Sequence, residues 1–293
     1  MLGLKRGEVK LFEHEKAWET EAQATISRLK EILGDVMIKA EHVGSTAIPS
    51  IKAKPIIDIA LAAADFESIL LYKESLQKAG FYYCPNAQTN VKSQLLFACG
   101  SYYDGTGNLQ THFIHVVLEN SIDWVNYTNF RDYLNGNAQT AREYEKLKLS
   151  LAERFSNENG RYEYLDGKKE FIAFTLRKAL VKSYLGKTVR IKMDRPIGSR
   201  HPSHREIIYP VNYGYIPGVF GGDGEELDVY LLGVDVPVNE YTAKIVAIVH
   251  RHNDVEDKLV AAAEGTFFSK EEIEKNVHFQ ERYYDTEVEM YCG

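Results

Sequence analysis

The stretch YPVNYGYIPGVFGGDGEELDV, residues 209–229, joins a turn-rich aromatic segment to a group of acids. Prolines and glycines between β-branched and aromatic residues predict short strands joined by tight loops. Four carboxylates fall within six residues, at Asp223, Glu225, Glu226 and Asp228. Such charges repel one another at pH 7 unless water, cations or a phosphate-bound metal relieve them. The stretch therefore predicts a bound partner that carries positive charge.

The composition of the whole chain limits that partner. The 293 residues are 44% hydrophobic and 26% charged, which is typical of a globular protein with room for two domains. The longest apolar run, residues 56–64, is too short to cross a membrane, and the N-terminus lacks the apolar segment of a signal peptide. The three cysteines form neither a disulfide framework nor a C-x-x-C motif. We therefore expect a cytoplasmic protein without a membrane partner, whose oligomeric state the sequence leaves open.

Charge is divided unevenly along the chain. Residues 186–293 contain 12 Lys and Arg against 19 Asp and Glu, a net charge of −7, whereas residues 1–185 contain 23 of each kind. Neither part is basic enough to bind nucleic acid by neutralising phosphates. The acidic C-terminal third favours a site that gathers metal ions.

Hydrophobic periodicity predicts two domains, residues 1–185 and 186–293. The first mixes helices with short strands and is expected to be α+β. The second alternates β-branched runs with Gly, Pro and Asn loops, which predicts a small β-barrel with one late helix. The predicted helices cover residues 17–34, 126–155, 170–185 and about 270–284, and the predicted strands include residues 54–63, 112–119, 188–193, 227–234 and 243–251.

The most informative stretch of the first domain is EHVGSTAIPSIKAKPIIDIAL, residues 41–61. Backbone N–H groups of a turn at Gly44 and Ser45 can hold phosphate oxygens, and Asp58 on the following strand can hold Mg²⁺. The structural alternative is a tight turn followed by a strand that happens to carry an acid.

Several separated motifs in this domain resemble the GrpB (UPF0157) family over residues 8–182: H-V-G-S-T-A-I-P, A-K-P-I-I-D-I, H-F-I-H-V-V and F-R-D-Y-L with A-R-E-Y. That family is similar to nucleotidyltransferases, which bind metal and triphosphate with a Gly-Ser turn and two strand acids two residues apart. The resemblance implies a nucleotidyltransferase-like domain with a mixed sheet, a nucleoside triphosphate as a candidate ligand, and Asp58 as the first acid. Ala60 stands where the second acid is expected, and two-metal transfer needs both.

Two further residues are candidates for phosphate contact in this domain. His112 and His115 are three apart in one strand and so point to opposite faces, and His115 is the one considered for the site. Its alternative is a hydrogen-bonded core histidine. Lys54 is placed to neutralise a phosphate, and its alternative is a solvated loop lysine.

The opening stretch resembles the signature of soluble family I inorganic pyrophosphatases, in which Y-P-x-N-Y-G is followed by D-G-D-x-x-D-V. D-V-E-D-K-L-V-A-A at residues 254–262 is similar to the second acid cluster of that family, and H-F-Q-E-R-Y-Y at residues 278–284 to its final helix. The three blocks cover most of residues 188–285. They imply a small β-barrel of the pyrophosphatase type, pyrophosphate as the small-molecule substrate and Mg²⁺ as the cofactor.

The resemblance also implies roles for individual residues. Hydrolysis of so dense an anion needs metal ions to neutralise its oxygens, with carboxylates holding the metals and Lys, Arg and Tyr holding the phosphates. Glu225 replaces the aspartate that acts as general base in the family, so an extra methylene shifts the proton acceptor by about an ångström. The implied metal ligands are Asp223, Asp228, Asp254 and Asp257, with Glu256 as the alternative to Asp257. The implied catalytic residues are Glu225, Asp228, Tyr213, Lys258 and Tyr283, and Lys192, Arg200 and Arg205 are phosphate-binding candidates by position only.

The two resemblances together suggest a coupled activity. Nucleotidyl transfer releases pyrophosphate, so a tethered pyrophosphatase would pull that reaction forward. The competing interpretation is a regulatory protein that binds a nucleotide or phosphate without fast turnover.

Overall fold

The computed structural model describes residues 1–85, 93–155, 160–221, 225–254 and 256–292. The backbone divides into two compact units, Met1–Thr175 and Leu176–Gly293. This division lies upstream of the boundary expected at residues 185 and 186. None of the described helices is long and apolar enough to cross a membrane.

A five-stranded mixed sheet forms the centre of the first unit. Its strand order is β2-β3-β7-β5-β4, in which β3 and β7 are parallel and the other pairs are antiparallel. A separate two-stranded pair joins β1 to β6. The elements are β1 (Leu4–Lys5), α1 (Lys16–Leu33), β2 (Lys39–Val43), β3 (Ile57–Ala63), α2 (Phe66–Leu70), α3 (Lys73–Lys78), β4 (Tyr82–Tyr83), β5 (Gln94–Cys99), α4 (Ser101–Asp104), β6 (Leu109–Gln110), β7 (His112–Leu118), α5 (Ile122–Gly136), α6 (Ala138–Arg154), α7 (Arg161–Asp166) and α8 (Lys169–Tyr184), the last of which continues into the second unit.

Both faces of this sheet are covered by apolar contacts. On one face, Trp18 and Leu29 of α1 belong to the same buried cluster as Ile57 and Ile59 of β3. On the other face, Ala60 of β3 packs in a cluster with Trp124 of α5 and other residues. Because a central strand buries both of its faces, its polar residue Asp58 stands out.

The helix predicted over residues 126–155 is two helices in the structure. Helix α5 ends at Gly136, and Asn137 then takes an extended conformation. The Asn137 side chain accepts a hydrogen bond of 3.1 Å from the backbone N–H of Thr140, so it caps α6. The Asn-Gly-Asn segment at residues 135–137 was the available signal, because asparagine is favoured at the start of a helix and glycine weakens a helix interior.

The second unit is a closed five-stranded barrel with one added strand, which confirms the predicted fold class. The barrel order is β12-β10-β9-β8-β11, with β11 pairing back to β12 and β13 added to the edge of β11. The elements are β8 (Thr188–Arg195), β9 (Asn212–Phe220), β10 (Glu226–Leu232), β11 (Glu240–Arg251), β12 (Lys258–Ala262), α9 (Lys270–Glu281) and β13 (Thr286–Met290).

Two residues of the Y-P-V-N-Y-G motif have structural roles in this barrel. Asn212 is fully buried; its amide donates to the carbonyls of Val234 and Val236, and its oxygen accepts from the N–H groups of Ile197 and Val238. Gly214 has no space for a side chain, because a Cβ there would lie 2.0 Å from the carbonyl oxygen of Lys192 on β8. The motif therefore closes the barrel and ties its loops together.

Candidate functional site

A buried lysine lies between two acids on the barrel of the second unit. Lys258 donates hydrogen bonds to the carboxylates of Asp228 and Glu256. The side chains of Lys258 and Glu256 are each 6% exposed, and that of Asp228 is 22% exposed. The parallel register of β10 and β12, which pairs Val229 with Leu259, sets Asp228 beside Lys258. We call these three residues the Lys258 cluster.

Electrostatics keeps this lysine charged. Burial alone would lower the pKa of Lys258, but the charges of Asp228 and Glu256 outweigh it and raise that pKa. The cluster thus holds one positive and two negative groups in a mostly buried place. Such an arrangement suits a phosphate oxygen on the lysine and a cation on the acids.

Tyr213 and Arg195 adjoin this cluster. The Tyr213 side chain is buried, and burial together with a hydrogen bond to the Asp228 carboxylate raises its pKa well above the ordinary value. Its phenol is therefore protonated at neutral pH and can act as a donor. The guanidinium of Arg195 lies 5.2 Å from the centre of the Tyr213 ring and 5.9 Å from that of Tyr209.

Sequence reasoning missed Arg195 and its neighbour Asp194. The pairing of β8 with β9 shifts register between Met193 and Arg195, so that Arg195 pairs with Tyr213. A bulge of this kind re-aims side chains and leaves no clear mark in the sequence. Partial burial and the charge of Asp228 raise the pKa of Asp194, although Arg195 opposes them. The bulge thus brings a cation and a further acid towards Asp228.

The structure separates the two acids that the sequence left as alternatives. Glu256 and Lys258 lie on one side of the chain, whereas Asp257 points to the other. Asp257 accepts hydrogen bonds from Lys178 at 2.7 and 2.9 Å and contacts His250 Nδ1 at 2.8 Å. Burial would raise the pKa of Asp257, but His250 and Lys178 outweigh it and lower that pKa. Asp257 therefore has a structural set of partners, and Glu256 takes the position next to Lys258.

Asp254 is also engaged away from the Lys258 cluster. Its carboxylate accepts a 2.9 Å hydrogen bond from Arg251, whose guanidinium also donates to Glu281 of α9 at 2.6 and 2.9 Å. Glu281 in turn accepts from the buried Tyr230 hydroxyl at 2.5 Å. Among the described residues, this arginine-centred network joins the end of β11 to α9.

Of the remaining sequence candidates of the second unit, Lys192 is exposed on β8 and the others lie outside regular strands and helices or outside the described residues. Asp223 lies outside the described residues. Glu225 is exposed at the β9–β10 hairpin, where its carbonyl accepts from the N–H of Gly221. Arg200 and Arg205 are exposed on the loop before β9, and Arg200 donates to the Arg205 carbonyl at 2.7 Å. Tyr283 is 55% exposed just after α9, and its hydroxyl accepts from Arg282.

The donor set around Asp228 fits a hard divalent cation. Asp228 and Glu256 offer carboxylate oxygens on one side of the barrel, and Asp194 adds a carboxyl whose pKa is raised by partial burial and by the charge of Asp228. Outside the undescribed segments, no group of three metal-binding side chains is assembled. A magnesium ion here would therefore be shared between these acids and its substrate or water, as Mg²⁺ commonly is.

The first unit brings together three of its predicted site residues. His115 Nε2 lies 3.2 Å from Asp58 Oδ1, and Tyr127 lies against the His115 ring with centroids 4.9 Å apart. Gly44 takes a φ of 69°, and a Cβ there would lie 2.5 Å from Asp58 Oδ2. The Gly44 turn, which continues into a short helical turn at Ser45–Ala47, is thus packed directly on the acid.

The surroundings of Asp58 are mostly neutral. Ala60, where a second acid would stand, is fully buried and pairs with His115 across β7. His42 contacts Thr46 Oγ1 at 2.9 Å, and burial lowers the His42 pKa to about 4 in spite of the Asp58 charge. His112 lies on the opposite face against Thr25 and Thr111, as its spacing from His115 predicts. The described residues therefore place the Asp58 carboxylate and two histidines, His42 and His115, near the turn, without a second strand acid.

The aromatic contact of Lys54 is with Tyr164 and not with the Gly44 turn. Its ammonium group is 4.3 Å from the centre of the Tyr164 ring, and burial, with the charges of Lys168 and Arg161, lowers its pKa to about 7. The charge of Asp58 acts in the opposite direction. Lys54 is thus neither a simple solvated lysine nor an ion-paired one.

Comparison with known proteins assigns both regions. The family model described as GrpB protein matches residues 8–178, and that described as inorganic pyrophosphatase matches residues 168–289. The chain is 36% identical over 173 residues to the glutamate-rich protein GrpB of Alkalihalophilus pseudofirmus. The match covers 59% of this chain and 96% of that protein.

Solved structures also match each region. The crystal structure of conserved protein GrpB from Enterococcus faecalis has a TM-score of 0.52 at 26% identity and covers 60% of this chain and 99% of that one. The crystal structure of inorganic pyrophosphatase from Ehrlichia chaffeensis has a TM-score of 0.30 at 19% identity and covers 36% of this chain and 88% of that one. The TM-score of this second match is too low to support an argument, so the pyrophosphatase likeness rests on the family model. The chain belongs to the GrpB family, and its C-terminal region is a pyrophosphatase-like domain that matches the inorganic pyrophosphatase family model.

Proposed function

We propose that the second unit hydrolyses inorganic pyrophosphate to phosphate with Mg²⁺ as cofactor. The observation that carries the proposal is the Lys258 cluster, in which a buried, charged lysine lies between two acids beside the Tyr213 phenol. Lysine and arginine bind phosphate oxygens, whereas carboxylates hold hard cations. Both kinds of group meet at this end of β10 and β12.

The proposal assigns separate roles to the phosphate-binding and the metal-binding residues. Lys258 and Arg195 would bind phosphate oxygens, and the Tyr213 hydroxyl would orient Asp228. Asp228 and Glu256 would hold Mg²⁺, together with Asp223, a ligand proposed from the sequence motif alone. When bound, Mg²⁺ neutralises the charge of pyrophosphate and lowers the pKa of coordinated water. Glu225 remains the proposed proton acceptor, and its position on the exposed hairpin sets how well it reaches that water.

A phosphate-release assay on the purified full chain tests this proposal. With Mg²⁺ and pyrophosphate the chain should release phosphate, and Asp228→Asn should lower the rate by about 100-fold or more, since it removes a charge from the reacting centre. Asp235→Asn is the matched control, because Asp235 is an exposed acid on the loop after β10. Absence of release from the wild-type chain, or equal rates in the two variants, would reject the proposal.

A second candidate function is binding of pyrophosphate or a related ligand without turnover. It is favoured by Glu225, which lies on an exposed hairpin and is longer than an aspartate. Thermal stabilisation of the chain by pyrophosphate with no phosphate released would support this function instead.

Coupling of the two units is the broader form of the proposal. A nucleoside triphosphate bound near Gly44, Ser45 and Asp58 would yield pyrophosphate on nucleotidyl transfer, and the second unit would remove it in the same cytoplasmic compartment. The buried Ala60 leaves Asp58 without a second strand acid, which makes transfer the demanding step. Incubating the full chain with Mg²⁺ and labelled nucleoside triphosphates should give a labelled product; no transfer to any acceptor would exclude the coupling.

A further inference from the structure

Two lysines lie over one buried aromatic ring in the first unit, and a nearby arginine acts on one of them. The ammonium groups of Lys54 and Lys168 lie 4.3 and 4.6 Å from the centre of the same ring, that of Tyr164. Arg161, at the start of α7, acts on Lys54 through its charge. The Tyr164 side chain is 1% exposed, whereas the three cationic residues are each partly exposed. We call these four residues the Tyr164 cluster.

The like charges of this cluster are not compensated by acids in contact. Within the described part of the chain, no carboxylate lies within 4.0 Å of the Lys54, Lys168 or Arg161 side chains, whereas the nearby Lys52 pairs with Glu13 at 3.0 Å. The charge of Asp58 acts on Lys54 from a greater distance. A cation on an aromatic face is stabilised by the ring, but the ring does not cancel the repulsion between neighbouring ammonium groups.

The adjoining Lys148 differs from Lys54 in having a hydrogen-bond acceptor, although burial and the charge of Lys168 lower its pKa to about 7 as well. Lys148 is 1% exposed, donates to the Lys52 carbonyl at 2.5 Å and lies over the Tyr144 ring. Lys54 and Lys168 have the aromatic contact without such an acceptor among the described residues. Their ammonium protons are therefore available to a ligand.

We propose that the Tyr164 cluster is a binding site for a compact polyanion, with the phosphates of a di- or triphosphate as its ligand chemistry. A compact anion fits because two ammonium groups lie over one ring and Arg161 acts on Lys54 through its charge. An extended nucleic-acid backbone is disfavoured, since residues 1–185 carry equal numbers of positive and negative side chains. The site is separate from the Lys258 cluster and does not depend on hydrolysis by the second unit.

Proton linkage follows from the same geometry. Without a ligand, Lys54 has a pKa of about 7 and is mostly neutral at pH 8. A bound polyanion favours the charged form and raises that pKa, so binding at pH 8 must take up a proton. An ordinary exposed lysine, already charged at pH 8, takes up none.

Calorimetric titration of the full chain with inorganic tripolyphosphate at pH 8, without Mg²⁺, tests the proposal. Titrations in buffers of different ionisation enthalpy measure the protons taken up. We expect Lys54→Met to weaken binding at least tenfold and to lower the number of protons taken up, the remainder coming from Lys148, whose pKa is also lowered to about 7 by burial and by Lys168. Lys54→Arg should bind but take up no proton from this position. Lys169→Met is the matched control, because Lys169 is 75% exposed and pairs with Asp166, and it should behave as the wild type.

The outcomes separate this proposal from the proposed hydrolysis. Lys54→Met should release phosphate from pyrophosphate at the wild-type rate, and an unchanged tryptophan-fluorescence unfolding transition shows that its first unit folds. Loss of tripolyphosphate binding in this variant supports the site even if no chain releases phosphate. Equal binding by the wild type and Lys54→Met, or no binding by the wild type, would overturn it.

Discussion

Substitution of Lys258 by Met is expected to destabilise the second unit strongly. Methionine is similar in length and apolar, so it removes the charge of Lys258 without leaving a large cavity. Asp228 and Glu256 would then face each other as two mostly buried carboxylates with no cation between them. Burial of unpaired charge is among the costliest single changes in a protein.

The magnitude follows from the burial of the cluster. Removing one partner of a buried ion pair typically costs about 3–5 kcal/mol, and the 6% exposure of Lys258 and Glu256 places them in that class. Against a typical unfolding free energy of about 5–15 kcal/mol, this is roughly a fifth of the total or more. Neutralising the acids as well, in the triple variant Lys258→Met/Asp228→Asn/Glu256→Gln, should restore most of the loss, since no charge is then left unpaired.

Urea unfolding resolves the two units spectroscopically. Trp18 and Trp124 are the two tryptophans of the chain, and both lie in the first unit. Tryptophan fluorescence therefore follows the first unit, and its transition should not move in any of these variants. Far-UV circular dichroism follows both units and should show the earlier loss of the barrel.

Lys192→Met is the control for removal of a lysine charge. Lys192 is exposed on β8, so its change should stay within about 0.5 kcal/mol. The reasoning is refuted if Lys258→Met is as stable as this control, or if the triple variant is no more stable than Lys258→Met. The second result would assign the loss to packing and not to charge.

The effect also has a pH signature. The folded pKa of Lys258 is raised above its unfolded value, so its contribution is fully present below the unfolded pKa and is lost as pH rises through the folded one. The wild-type advantage over Lys258→Met should therefore persist at neutral pH and shrink only under strongly alkaline conditions.

Three further predictions concern other parts of the fold. Gly44→Ala should destabilise the first unit by about 1–3 kcal/mol or more, as measured by tryptophan fluorescence in urea. The added Cβ would clash with Asp58 at a position that already has a positive φ. Gly34 also has a positive φ but has open space around it, so Gly34→Ala should cost less. Asn212→Ala should lower the stability of the barrel by about 3 kcal/mol or more, as measured by circular dichroism. The substitution leaves two buried N–H and two buried C=O groups without their hydrogen-bond partner. A variant as stable as the wild type would contradict this role of the Asn212 amide. Lys178→Met should destabilise the second unit by about 1.5–3 kcal/mol at pH 7, because it removes the lysine from buried Asp257 and leaves that carboxylate only its His250 and backbone contacts. As the folded pKa of Asp257 is lowered, this difference should vanish as pH falls through that pKa, and a difference that persists in acid would show that it has another cause.

Much of this protein follows from local sequence signals. The period of apolar residues placed α1 and α9 nearly at their bounds, and β-branched runs placed β3, β7, β8, β10 and β11. Helix α5 was missed as a separate element because apolar spacing continues across Asn137, and the capping residue was not given enough weight. The opposite directions of His112 and His115 also followed from strand geometry alone.

Ordered motifs went further than periodicity. They identified both families, and they selected Asp58, Asp228, Tyr213 and Lys258, which the structure places with partners at two sites. Motifs report which residue types recur in order along a chain. They do not report how many residues a bulge inserts or which way a loop residue faces.

Only the tertiary structure decided which charges meet. Arg195 comes next to Tyr213 through a one-residue shift in the pairing of β8, and Glu256 lies beside Lys258 while Asp257 turns to Lys178 and His250. Lys54 and Lys168 are more than a hundred residues apart in sequence, yet they share the ring of Tyr164. The sequence by itself determined elements and families, because periodicity and motifs are local along the chain. The pairing of charges was decided by the fold, because electrostatic interaction depends on distance and burial in space, and chain order fixes neither.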